Sequence, residues 1–170
     1  MRRFLVIGAL AAAVAAAVAV PGVEAATGVS TKYAVTGIET SIPTNNTSTF
    51  AGTALGSGGD AALWKASVVH QGLSNCPFGT NTSCAITGGT FALHSTAGGT
   101  LAGTFAGGKV TPISQATGCG KQVFGVNGSL ATNQGPATFT ATLTHYRVSL
   151  FGTCVPYFAT IKGSVTLATT

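Results

Sequence analysis

The segment TFTATLTHYRVSLFG (residues 138–152) places Phe139, Ala141, Leu143, His145, Arg147 and Ser149 on one side of an extended chain, because side chains of a strand alternate with period 2. The apolar side turns cationic halfway along. An imidazole and a guanidinium at the mouth of a cavity would hold an anionic group, and the imidazole could act as a base near neutral pH. Tyr157 lies on the apolar side of the next extended run, and Glu39 is an available counter-ion for Arg147. His145, Arg147 and Tyr157 are therefore the catalytic candidates. Two other arrangements stay open. The strand overhangs the core and leaves His145 and Arg147 in solvent, or a β-bulge reverses the alternation and turns Tyr146, Val148 and Leu150 inward.

A second candidate wall is Trp64 with His70, which share one side of ALWKASVVHQGL (62–73). His145, Arg147, Tyr157, Glu39, Trp64 and His70 together form the candidate ligand-binding set; His94 has the alternation of an exposed residue. Most enzyme templates fail. Glycoside hydrolysis needs two carboxylates across the scissile bond. Past residue 26 the acids are Glu39 and Asp60, and Asp60 sits in a turn-like Gly-Gly-Asp. No nucleophile elbow of the G-x-S-x-G type is present. No C-x-x-C or H-x-x-x-H spacing supports a metal site, and no cofactor motif is found.

These side chains must be positioned by strands. Past residue 26 no segment sustains a helical period, and short β-rich runs alternate with Gly, Asn, Ser and Pro clusters. The spacing predicts strands at 31–42, 49–56, 62–73, 85–95, 99–108, 121–132, 137–151 and 155–168. The segment 109–114 contains Pro112 and is read as an edge strand or as no strand. Eight or nine antiparallel strands must close into a barrel or stack as a sandwich to hide their edges. Glycines inside the strands imply sharp coiling, which favours a small antiparallel β-barrel of about eight strands over the β-sandwich.

Four cysteines, Cys76, Cys84, Cys119 and Cys154, argue for two disulfides in an exported chain. Three pairings are possible. The turn-rich CPFGTNTSC favours Cys76–Cys84, which leaves Cys119–Cys154 to tie two strand ends. Chain entropy assigns about 2.5 kcal/mol to the short loop and about 4 kcal/mol to the long one.

The segments GGTFALHSTAGGTLAGTFAGG (88–108) and ATIKGSVTL (159–167) resemble, in their glycine-rich hairpins, the secreted bacterial relatives of allene oxide cyclase and dirigent proteins. The resemblance spans most of the chain past residue 26. It implies an eight-stranded antiparallel barrel and, as one functional alternative, an enzyme acting on an apolar substrate. The turn differs from the family's pattern, so no site residue is carried over from it.

Residues 1–25 read as a secretory signal peptide. MRR is followed by the uncharged FLVIGALAAAVAAAVAV, then Pro21-Gly22 and small residues before a cut between Ala25 and Ala26. The alanine-rich style is that of a bacterial exporter. The single domain 26–170 has about 145 residues, enough for a real core. Charged residues are 6% of the chain, against about 25% in typical soluble proteins. Six Lys and Arg face two acids past residue 26, but they are dispersed, which argues against a nucleic-acid surface. No later segment is apolar enough to span a membrane as a helix. The expectation is a secreted, disulfide-stabilised module that binds a small hydrophobic ligand or a cell-surface component. The alternatives are the barrel enzyme and a purely structural extracellular protein.

Overall fold

A computed structural model describes residues 31–41, 46–71, 83–115 and 118–168. The expected leader and Cys76 lie outside the described residues. Eight strands run in chain order: β1 Lys32–Glu39, β2 Thr47–Gly56, β3 Ala61–His70, β4 Cys84–Ser95, β5 Thr100–Gln115, β6 Lys121–Thr132, β7 Gly135–Leu150 and β8 Thr153–Leu167. Each pairs antiparallel with the next, and β1 pairs with β8, so the sheet is a closed barrel and not a sandwich. Closure satisfies the edge hydrogen-bonding groups that an open sheet would expose.

One element departs from expectation. Residues 99–108 and 109–114 form the single strand β5, with register shifts at Phe105/Gly107 and Pro112/Ser114. Pairing of β5 with β4 ends at Val110, while pairing with β6 continues to Gln115. Pro112 lacks an N–H and lies in a stretch that, among the described residues, pairs with β6 alone, as an edge position would.

The interior is filled. Alternate residues of every strand point inward, and Trp64, Phe91, Phe105 and Phe139 form a column with ring centroids 5.9–6.3 Å apart. Gly37 faces into this column: a Cβ there would stand 2.8 Å from Cζ2 of Trp64, so the missing side chain is the space the indole occupies. The indole N–H then donates to the Thr36 carbonyl at 2.9 Å, which removes the cost of burying it. The outer wall carries Thr36, Thr53, Thr138, Thr140, Thr142 and Lys162, with Ile38, Leu55, Leu63 and Ile113 exposed singly among them.

The two ends of the barrel differ. At the turn end lie the short connections 57–60, 96–99 and 133–134, and both β1 and β8 reach it, with Lys32 level with Thr166. At the loop end lie the connections 40–46, 71–83, 116–120 and 151–152. Cys119–Cys154 crosses the loop end, and Cys84, at the loop-end start of β4, is also disulfide-bonded.

Candidate functional site

The alternation that buries Phe139, Ala141 and Leu143 continues to His145, and the alternation that buries Tyr33 and Val35 continues past Gly37 to Glu39. β8 lies between β7 and β1. His145 pairs with Ala159, and Ile38 pairs with Thr160, so Glu39 is level with Ala159 from the other side. Three inward positions thus share one level at the loop end, with the smallest in the middle. A methyl group there leaves room for the flanking side chains to meet. His145 Nε2 stands 3.1 Å from Glu39 Oε2, with the two side chains 4% and 7% exposed.

The pair continues the aromatic column. The Phe124 ring meets the imidazole edge-on, with centroids 5.3 Å apart. Gln122 is level with His145 on β6 and is 1% exposed. Among the described residues, Glu39 Oε1 and Gln122 Nε2 have no hydrogen-bond partner. A buried acceptor and a buried donor left open are costly, of order 1–3 kcal/mol each. Above the pair is a cleft of about 130 Å³. Glu39, His145 and Ala159 form its floor, Thr40 and Ser41 one wall, and Pro156, Tyr157 and Phe158 the other.

The structure brings His145, Glu39 and Tyr157 together and separates the other candidates from them. Tyr157 is not on the inward side of β8. Tyr146 pairs with Phe158 and Arg147 with Pro156, so Tyr157 is the extra residue of a bulge and is 67% exposed at the cleft's rim. The bulge lies in β8, and His145 keeps its inward direction. Glu39 pairs with His145 and not with Arg147, whose Nη2 donates to the Cys154 carbonyl at 3.4 Å. Trp64 belongs to the core. His70 ends β3 with Nδ1 2.8 Å from the Gln71 carbonyl oxygen. His94 is exposed, with Nδ1 3.2 Å from the Thr100 hydroxyl.

Gln122 is the site residue that the sequence reading missed. Its signal was its alternation with Phe124, Val126 and Leu130, a polar residue on an otherwise apolar side. Among the described residues, no group of three or more His, Cys, Asp or Glu could hold a metal ion. No family model, no curated protein and no solved structure matches the chain.

Proposed function

We propose that the chain is an exported binding module that captures a small molecule at its loop end, in the cleft over Glu39 and His145. The open Glu39 Oε1 carries this reading. A buried carboxylate oxygen without a donor is an unmet demand, and a ligand hydroxyl or ammonium would meet it. Pro156, Tyr157 and Phe158 offer an apolar wall for the rest of such a molecule. The cleft volume equals about four waters at their liquid share of ~30 Å³, which fits a compact polar head and not a bulky hydrophobic body. The filled aromatic column favours this rim over the barrel interior as the binding place. The leader-like N-terminus and the oxidised Cys119–Cys154 pair support export.

The Glu39–His145 contact also favours a second reading, a barrel enzyme on an apolar substrate. A carboxylate-oriented imidazole is a suitable acid–base group. The slight exposure of that imidazole favours the binder. Without a ligand, the same pair would cap a purely structural barrel.

The test is protein-observed NMR with small amines, polyols and carboxylic acids. Amines or polyols are expected to shift the Ala159 and Phe158 amides. The double variant Glu39→Leu/His145→Leu should fold and lose this affinity at least about tenfold, the worth of one hydrogen bond to a charged group. Equal binding by the double variant, or no response to any class, would overturn the reading. Turnover that vanishes in His145→Ala while affinity persists would instead select the enzyme.

A further inference from the structure

The β7–β8 hairpin extends past the wall that supports it. β6 pairs with β7 as far as Tyr146, and β8 pairs with β1 only from Thr160 onward. Among the described residues, 147–150 pair only with the start of β8, up to Leu150↔Thr153. At about 3.3 Å per residue this two-stranded ribbon projects roughly 13 Å. Such ribbons are marginal alone. This one is held at its base by Cys119–Cys154 and by the Arg147 amide, which donates to the Gly120 carbonyl at 3.3 Å.

The ribbon is apolar where a solvent-facing turn would be polar. Val148, Leu150, Tyr157 and Phe158 are exposed, and Phe151 at the tip is fully exposed. Phe151 also has φ +53°, followed by Gly152 at +81°. A turn with two positive φ values favours Asn-Gly, and a bulky residue at its first position is a genuine outlier. A phenylalanine held there, fully exposed among the described residues, points to a contact with a partner.

The charge around the tip selects the partner. Lys121 and Arg147 stand at the ribbon's base, with Lys121 Nζ 5.4 Å from the Tyr146 ring centroid. Of the two acids past residue 26, Glu39 lies at this end but is buried against His145 beneath Tyr157 and Phe158, and Asp60 is at the turn end. We infer that the β7–β8 tip is a docking surface for an anionic lipid bilayer, with Phe151 and Leu150 entering the interface and Lys121 and Arg147 meeting the headgroups. The other exposed large apolar residues among those described, Ile38, Leu55, Leu63 and Ile113, are spread singly over β1, β2, β3 and β5, whereas five gather at this end of β7 and β8. A second copy meeting tip to tip would bring Lys121 and Arg147 against their own kind, whereas an anionic surface attracts both.

The experiment is co-sedimentation of the exported, disulfide-intact chain with vesicles of phosphatidylcholine alone or with one quarter phosphatidylglycerol. Binding to the anionic vesicles should be at least about tenfold tighter and should weaken with salt. Phe151→Asn suits the turn better, so it should keep or raise the melting temperature while weakening vesicle binding about tenfold or more. Lys121→Gln should cost about fivefold, on anionic vesicles only. Equal sedimentation of Phe151→Asn and the parent chain would overturn the inference. So would absence of binding to the anionic vesicles, or vesicle-free self-association that Phe151→Asn abolishes.

Discussion

Each end of the barrel holds one of the two acids found past residue 26, and the two are treated differently. At the turn end, Asp60 Oδ2 receives the Tyr33 hydroxyl at 2.9 Å and the Ser95 hydroxyl at 3.1 Å, and both donors come from the barrel wall itself. At the loop end, Glu39 has one oxygen against His145 and one without a partner among the described residues, and Gln122 Nε2, level with His145, likewise lacks one. The turn-end acid acts as a plug: it joins β1, the β2–β3 turn and the end of β4. The loop-end acid shares its end of the barrel with the β8 bulge, a Phe in a left-handed turn and the Cys119–Cys154 disulfide. Satisfied polar groups build a lid, and unsatisfied ones mark the place where something else belongs.

Five variants would sharpen or break this contrast. Removing His145 alone, as His145→Ala, should cost about 3–5 kcal/mol in urea unfolding, because Glu39 is left buried without its partner. Glu39→Leu/His145→Leu should return stability to the parent level or above it. A double variant as unstable as the single one would make the loop end a structural lid like the other. Cys119→Ser/Cys154→Ser opens a loop of separation 35 and should lower stability by about 4 kcal/mol. Hydrogen exchange should show the loss of protection concentrated in β7 and β8 beyond Tyr146 and little change near Asp60. Tyr33→Phe should cost about 1–2 kcal/mol, since Ser95 still serves the carboxyl group. Vesicle or small-molecule binding at the other end should be untouched. Phe151→Asn should gain roughly 1 kcal/mol by relieving the left-handed conformation, seen as a higher melting temperature. A loss of stability there would mean that Phe151 packs within its own fold.

The period-2 pattern made much of this legible. His145 could be placed on the inward side because its strand alternates without interruption from Phe139. Glu39 could be placed on β1 for the same reason. That the two would meet depended on ring order, since β1 becomes the neighbour of β8 only when the barrel closes, and no local pattern encodes that pairing. Tyr157 was misjudged because a bulge inserts one residue, and a single insertion exchanges the sides of everything before it. Pro112 leaves edge strand and no strand both open in the sequence, because a one-sided position is a property of the staggered rim, where the described pairing of β4 ends before β5 does. Gln122 was legible and overlooked: a polar residue in phase with Phe124 and Val126 is the kind of exception that deserves more weight than the apolar rule around it.

The pairing of β1 with β8 has a practical consequence for anyone wishing to use or display the molecule. Lys32 and Thr166 lie side by side at the turn end. Reporters, affinity handles or immobilising linkers attached through either side of the folded unit would leave from the same pole. Glu39, His145 and Phe151 would then point away from the support, so a sensor chip or bead coated through these attachment points would present the loop end to the sample.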